Sequence, residues 1–169
     1  MKTKIYLATD HAGFAYKNIV RDLLEREYVE QYEVVDCGSF VHDPLDDYPD
    51  FIKKAAKKVS ENPTQNKAII FGGSGQGEAM VANKYPGVRA TVYYGNETEI
   101  LQLSKEHNDA NVLSIGARFV GEELLEEVVR TWLSVKFSGE ERHTRRINKM
   151  DALKIFKTKS FLGSLFSRS

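Results

Sequence analysis

A short apolar run that ends in glycines constrains the fold of this chain more than any other stretch. Residues 68–71 read Ala-Ile-Ile-Phe. Such a run without polar alternation is typical of a strand buried on both faces of a parallel sheet. Gly72, Gly73, Gly75 and Gly77 follow at once, and a helix is predicted to begin near Gly77. Because a loop without side chains lets backbone amides approach a ligand closely, this unit predicts a site for a phosphate or an oxyanion.

The rest of the chain alternates predicted strands with predicted helices. Further strands are predicted over residues 4–9, 33–37, 88–93 and 112–115, and helices over residues 14–27, 49–60, 98–107 and 122–137. A basic segment, 142–146, is predicted to precede a last helix over 147–157 and a loosely attached tail over 160–169. The pattern predicts an α/β protein, a three-layer α/β/α sandwich with a Rossmann-like five-stranded parallel sheet. Residues 1–150 would form the domain, and residues 151–169 the end of the last helix and the tail.

Composition narrows the classes of partner. The 169 residues are 41% hydrophobic and 28% charged, which suits one globular domain. The formal net charge is zero, so no basic field argues for nucleic acid or an acidic membrane surface. Cys37 is the only cysteine, and no apolar segment at the amino terminus resembles a signal peptide or a membrane span. We therefore expect a cytoplasmic protein that binds a small molecule, with neither nucleic acid nor membrane as a partner.

The glycine loop fits two familiar phosphate motifs badly. A Walker A loop ends in Gly-Lys-Ser/Thr, whereas Gly77 is followed by Glu78, whose charge would repel a polyphosphate. The dinucleotide fingerprint belongs after the first strand, and its third glycine is misplaced here. ATP and NAD are therefore disfavoured. A turn of this kind can also serve only to pack a helix against a strand, but a carboxylate beside an anion pocket can act as a catalytic base.

Other polar residues are predicted to share the edge of the sheet with this loop. Asp10 and Arg118 each follow a predicted strand, so one small anionic ligand could touch both residues and the glycine loop. Each group alone also has a structural explanation. Asp10-His11 could be a helix cap, His107-Asn108 a helix end, and the basic segment 142–146 a solvated face.

Taken together, the motifs resemble a known family, the type B ribose-5-phosphate isomerases and their galactose-6-phosphate isomerase relatives. The resemblance covers residues 1 to about 150. The matching stretches are Thr-Asp-His-Ala-Gly (9–13), Asp-Tyr-Pro (47–49), Gly-Gly-Ser-Gly-Gln-Gly-Glu (72–78), Ala-Asn-Lys (82–84), Gly-Val-Arg-Ala (87–90), His-Asn-Asp-Ala-Asn-Val-Leu (107–113), Gly-Ala-Arg (116–118) and Arg-His-x-x-Arg (142–146).

The resemblance implies that an aldose phosphate and a ketose phosphate are interconverted through a cis-enediol, without a metal or an organic cofactor. It implies that His107, helped by Asp10, opens the sugar ring and that Glu78 carries the proton between C2 and C1. The oxygens of the enediolate would be held by Asn108 and by the loop residues Gly73, Ser74, Gly75 and Gly77. The remaining substrate-binding residues would be His11, Tyr48, Arg118, Arg142, His143 and Arg146.

One departure from part of the family concerns the base. Some members carry a cysteine directly after the central strand, where this chain has Gly72. Glu78 matches the branch of the family that uses a glutamate in this loop. Cys37 lies at the end of another predicted strand and is interpreted as a small buried thiol.

The expected reaction is the interconversion of ribose 5-phosphate and ribulose 5-phosphate. Galactose 6-phosphate or allose 6-phosphate isomerisation remains an alternative, as does a non-catalytic sugar-phosphate-binding protein. The presence of Asp10, Glu78 and His107 argues against a mere binder. A metal-dependent enzyme is disfavoured because histidines and acids lack compact ligand spacing. We expect a homodimer with shared sites, or a tetramer, because the basic segment 142–146 follows a long helix that must cross the sheet. In the resembling family that segment reaches the neighbouring subunit's site.

Overall fold

The computed structural model describes residues 2–95 and 97–153. Five strands form one parallel sheet in the order β2-β1-β3-β5-β4. The strands are β1 (Thr3–Thr9), β2 (Tyr32–Asp36), β3 (Lys67–Gly72), β4 (Ala90–Tyr93) and β5 (Val112–Gly116). The helices are α1 (Phe14–Glu27), α2 (Tyr48–Glu61), α3 (Gln76–Ala82), α4 (Thr98–Glu106), α5 (Glu122–Ser134) and α6 (Glu141–Asp151), with a 3-10 turn at His11–Gly13 before α1. The predicted three-layer α/β/α fold is confirmed.

Both faces of the sheet are buried, as the continuous apolar strands predict. Along β3, Ile69 and Phe71 point into one core, whereas Ala68 and Ile70 point into the other. The first core also receives the apolar stripes of α1, α4 and α5, and the second receives those of α2 and α3. Successive strand residues face opposite sides, so a single run of apolar residues serves both layers.

The chain leaves the neighbouring strands β1 and β3 toward opposite faces of the sheet. The residues after β1 lead into α1, which packs with α5, whereas the glycine loop after β3 leads into α3, which packs with α2. A crevice opens where the connections diverge in this way, outside the carboxyl ends of the strands. Asp10 and the glycine loop border it.

The region after α5 differs from the sequence prediction. The helix predicted to reach residue 137 ends at Ser134, because Val135 is extended, with ψ of 137°. Gly139 then turns the chain with φ of +70°. The basic residues 142–146 lie within α6 rather than before the last helix. Apolar residues after a helix fit an extended segment as well as one more turn, so periodicity misplaced the end of α5.

The carboxyl-terminal part of the prediction is only partly described. Helix α6 ends at Asp151, and both its predicted continuation to residue 157 and the tail over 160–169 lie largely outside the described residues. The division into residues 1–150 and 151–169 therefore stays a prediction. Within the described ranges, each helix is too short or too polar to span a bilayer.

Candidate active site

The glycine loop is held against the carboxyl end of β5. The amide of Ala117 donates to the carbonyl oxygen of Gly72 at 2.8 Å, and the amide of Arg118 donates to that of Gly73 at 3.1 Å. Gly75 has φ of +76°, and a Cβ there would lie 3.1 Å from the Gly116 nitrogen. A side chain at Gly75 would therefore be both strained and crowded. These contacts fix the loop beside the end of its neighbouring strand.

The loop presents backbone donors that its own fold does not use. Within the described part of the chain, the amides of Gly73, Ser74 and Gly75 donate to no protein acceptor. The Ser74 hydroxyl accepts from the Gln76 amide at 3.3 Å at the start of α3. Several amides with unused hydrogens in one turn are suited to bind the oxygens of an anionic ligand.

Glu78 places a buried carboxylate at the base of this loop. The residue is 4% exposed, and a Cβ built at Gly72 would overlap its carboxylate. The carboxylate therefore occupies the volume that a side chain at position 72 would fill. Desolvation raises the pKa of this carboxyl group above the usual 4.5, and the negative charge of Asp10 raises it further. A hydrogen bond from the amide of Glu78 itself lowers the pKa in part. A carboxyl group with a raised pKa is a better general base than a solvated one.

Asp10 and His11 follow β1 on the other side of the crevice. Asp10 is 7% exposed, and its Oδ1 accepts from the Ala12 amide at 2.9 Å, so it caps the 3-10 turn. Asp46, in the loop before α2, accepts from the His11 amide at 3.0 Å, and its Oδ1 lies 2.7 Å from His11 Nδ1. The structural explanation for Asp10 as a cap is thus correct, and the cap also lines the crevice.

Two further side chains close over the loop. The Arg118 guanidinium covers Gly73, where a Cβ would lie 3.3 Å from its Cζ. The Tyr48 hydroxyl lies against Gly77, where a Cβ would be 2.7 Å away. A cavity of about 400 Å³ is lined by Asp10, His11, Ala12, Tyr48, Gly73, Ser74, Gly77, Glu78, Arg118 and Phe119. Within one chain, the fold therefore brings together eight of the predicted site residues, whereas Gly75 supports the loop from behind.

Asp10, His11 and Asp46 also offer three potential metal-ligand atoms within 4.8 Å of one another. The separation of 2.7 Å between His11 Nδ1 and Asp46 Oδ1 is that of a hydrogen bond. Those two atoms are therefore engaged with each other, and the geometry is that of an aspartate–histidine pair.

The other predicted site residues form a second cluster. His107 follows α4, and its ring stacks on that of His143 with centroids 4.2 Å apart and an interplanar angle of 11°. Arg89 holds the turn between α4 and β5, since its Nε donates to the carbonyl oxygen of Asn108 at 3.0 Å. His143 is buried, and its pKa is lowered by that burial and by the neighbouring His107 and Arg142.

The basic residues of α6 are mostly solvated in a single chain. Arg142 and Arg146 are exposed, and Arg142 Nε lies 2.9 Å from a carboxylate oxygen of Glu140. They are close in sequence to His143, so these cations belong to the second cluster.

The two clusters lie at opposite edges of the sheet. The turn over residues 107–111 leads into the amino end of β5. There the backbone carbonyl oxygen of Asn111 accepts from the amide of Ala68, near the amino end of β3, at 3.0 Å. The glycine loop lies at the carboxyl end, where Gly72 pairs with Gly116. The five residues of β5 span about 16 Å. Within one chain, the structure therefore does not bring His107 and Asn108 to Glu78.

Two residues near the crevice were not found from the sequence. Asp46 contacts His11 and Phe119 lines the cavity. Asp46 lies among several acids in an irregular loop, so no spacing distinguishes it. Cys37 is half-buried, and burial, followed by the charge of Asp36, raises the pKa of its thiol to about 11. That Cys37 is not the base stays a prediction.

Comparison with known proteins agrees with this geometry. The family model described as "Ribose/Galactose Isomerase" matches residues 5–150. The chain belongs to this ribose/galactose isomerase family. Ribose-5-phosphate isomerase B of Mycolicibacterium paratuberculosis is 39% identical over 147 residues, which is 86% of this chain and 87% of the relative. The probable ribose-5-phosphate isomerase B of Mycoplasma genitalium is 37% identical and covers 89% of this chain and 95% of its own length.

Solved structures of this isomerase family share the fold. The crystal structure of ribose-5-phosphate isomerase B from Mycoplasma genitalium with bound ribulose-5-phosphate has a TM-score of 0.82 and 36% identity, and covers 89% of this chain and 95% of that chain. Ribose-5-phosphate isomerase B of Clostridium thermocellum has a TM-score of 0.79 and 38% identity, with 88% and 95% covered. The predicted family and fold are confirmed.

Proposed function

We propose that this protein is an aldose–ketose isomerase that interconverts ribose 5-phosphate and ribulose 5-phosphate through a cis-enediol. The names of the similar isomerases and the ribulose-5-phosphate bound in the Mycoplasma genitalium structure support the substrate. The observation that carries the mechanism is the buried carboxylate of Glu78, which has a raised pKa and lies beside a loop of free amides.

The chemistry needs only a proton to be moved between two carbons and another between two oxygens. Glu78 removes the proton from C2 of the open-chain aldose, and the carbonyl oxygen O1 gains a proton to give the enediol. Glu78 then returns its proton to C1 while O2 loses its hydrogen, which leaves the ketose. Atoms and electrons balance without an oxidant, a reductant or a cofactor.

The glycine loop stabilises the negative charge that develops on O1 and O2. The amides of Gly73 and Gly75, with the Ser74 amide and hydroxyl, are already oriented by the contacts of the loop with β5. Such preorganised donors are worth about 3 kcal/mol each in comparable oxyanion sites. This stabilisation makes it possible for a carboxylate to remove the C2 proton.

The phosphate is bound by side-chain nitrogens at the mouth of the cavity. His11 and Arg118 line it in the same chain, and the planar fork of an arginine suits two phosphate oxygens. Tyr48, which packs on Gly77, lines the sugar between the phosphate and the loop.

A second copy of the chain completes the site. His107 and Asn108 lie at the amino edge of the sheet, about 16 Å of strand away from Glu78, and they can act on the same sugar only from a partner subunit. The exposed Arg142 and Arg146 then meet the phosphate from that subunit as well. A two-fold homodimer makes this donation mutual and gives two equivalent sites. A cytoplasmic location is part of the same proposal, in keeping with one unpaired cysteine.

A panel of pentose and hexose phosphates tests the proposal, with proton exchange at C2 as the assay. Ribose 5-phosphate is expected to be the best substrate. Glu78→Gln, which keeps the size of the side chain, is expected to lower kcat by roughly 10² to 10⁴ with little change in KM. Cys37→Ala is the control and should retain turnover. Exchange that persists in the glutamine variant but vanishes in a folded Cys37→Ala protein would refute the assignment of the base.

A further inference from the structure

One carboxylate oxygen holds His11 by both its backbone and its ring. Asp46 Oδ1 accepts from the His11 amide at 3.0 Å and lies 2.7 Å from ring Nδ1. The Asp46 side chain is only 9% exposed. Its other oxygen, Oδ2, is buried and has no partner among the described residues. Such a pair of contacts restrains the ring in one orientation relative to its own backbone.

The contact also decides which ring nitrogen of His11 faces the cavity. A carboxylate at Nδ1 requires a hydrogen on that nitrogen, since a carboxylate can only accept. Nε2 is left for a ligand, and His11 lines the cavity beside Arg118. To donate to a phosphate oxygen, Nε2 must also carry a hydrogen, and the carboxylate offsets the positive charge that this second hydrogen brings.

Asp46 also connects an exposed loop to the turn that follows β1. It lies in the loop between β2 and α2, in which Phe40, Val41 and Leu45 are 66%, 68% and 88% exposed. His11 directly follows β1 and starts the 3-10 turn. The ring of His42 from the same loop meets that of His11 edge-on at 6.2 Å. The Asp46–His11 pair therefore joins the loop to the mouth of the cavity.

We propose that Asp46 is a positioning residue for phosphate recognition, which acts by holding His11 with Nε2 toward the ligand. The proposal rests on the proposed function, in which His11 receives the phosphate of the substrate. Asp46 itself does not touch the sugar in this assignment. Its removal should therefore weaken binding while the proton transfer by Glu78 proceeds.

Steady-state kinetics with ribose 5-phosphate test this role. Asp46→Ala is expected to raise KM roughly ten-fold or more, the scale of one charge-assisted hydrogen bond, and to change kcat less than about three-fold. Asp46→Asn keeps an oxygen acceptor without the charge and should fall between Asp46→Ala and the unchanged chain. Asp43→Asn is the matched control, because it removes the same charge from the same loop at a side chain that accepts from the Leu45 amide and does not contact His11.

A second measurement reads the His11 ring directly. Nitrogen-15 NMR of the imidazoles distinguishes the two tautomers, and the chain has four histidines, so His11→Ala identifies the signal. With inorganic phosphate bound, hydrogens are expected on both Nδ1 and Nε2 of His11 in the unchanged chain, and Asp46→Ala is expected to lose the hydrogen on Nδ1. The double variant His11→Ala/Asp46→Ala should have the KM of His11→Ala alone, because Asp46 acts through that ring.

The possible results distinguish a wrong role for His11 from a wrong role for Asp46. If His11→Ala leaves KM unchanged, the assignment of the phosphate to His11 is wrong, and the role of Asp46 falls with it. If His11→Ala raises KM while Asp46→Ala changes neither KM nor the hydrogen on Nδ1, only the role of Asp46 is overturned. Should Asp46→Ala fail to fold, Asp46→Asn is tested by the same two measurements. The proposal would be overturned if Nδ1 of His11 loses its hydrogen in Asp46→Asn while KM stays unchanged.

Discussion

Two inactive variants of this chain should restore activity when they share a dimer. One variant is Glu78→Gln, which removes the base at the carboxyl edge of the sheet. The other is Arg142→Ala/Arg146→Ala, which removes two exposed cations of α6. Both changes leave the two cores untouched, so each chain is expected to fold. If each site takes its base from one chain and its α6 cations from the other, a mixed dimer has one intact site and one site with both defects.

The expected recovery follows from these positions. Glu78→Gln should cost roughly 10² to 10⁴ in kcat. Losing two charge-assisted hydrogen bonds of about 1.5–3 kcal/mol each should cost roughly 10² to 10⁴ in kcat/KM. Each variant by itself is therefore expected to be nearly inactive. Random exchange makes about half of the dimers mixed, so roughly one quarter of all sites should regain full activity.

The assay is isomerisation of ribose 5-phosphate after the two variants are mixed and subunit exchange is confirmed with differently tagged chains. Full activity per intact site, at the expected fraction, would support sites built from two chains. No recovery in a mixture with proven exchange would mean that each site is built within one chain. That result would refute the inference that His107 and Glu78, which lie toward opposite ends of β5, a strand of about 16 Å, cannot serve one site within a chain.

Three further predictions concern the crevice itself. Gly72→Ala should displace the Glu78 carboxylate and lower kcat by roughly 10²-fold, whereas Gly73→Ala, which meets only the end of a flexible arginine, should cost less; equal rates for the two variants would contradict the placement of the base. The base works deprotonated, so kcat/KM should fall as the pH drops through the raised pKa of Glu78; this acid limb should lie above 4.5 and move to lower pH in Asp10→Asn, and a limb that stays in place would exclude the Asp10 charge as a cause. Activity should survive exhaustive chelation, and recovery only after a divalent ion is added back would identify a metal-dependent enzyme.

The sequence predicted the sheet because its strands carry their own signal. The run over residues 68–71 lacks polar residues, and such a run is stable only between two covering layers. The glycines after it leave few structures other than a tight turn into a helix. Asp10, Glu78 and Arg118 line one cavity, as their places after the strands predicted, since parallel strands place their carboxyl ends at one edge.

Periodicity was less reliable where local and tertiary preferences compete. Leu124 fits the apolar stripe of α5 but is 41% exposed. The helix was expected to continue through Val135, which is extended instead. Each of these residues satisfies the same spacing whether it packs or not. The packing of the neighbouring elements decides whether such a residue is buried or exposed, and that packing cannot be predicted from a window of a few residues.

The sequence by itself determined the order of strands and helices, the loop that offers amides, and the presence of an acid in its first helical turn. Only the tertiary structure placed the Glu78 carboxylate in the volume left by Gly72, joined Asp46 to His11, and separated His107 from Glu78 by the length of β5. Hydrophobic periodicity and turn chemistry act between residues a few positions apart, and the sequence can be read for them. The three tertiary results depend on distances between residues far apart in the chain, which the packing of the sheet and its helices decides.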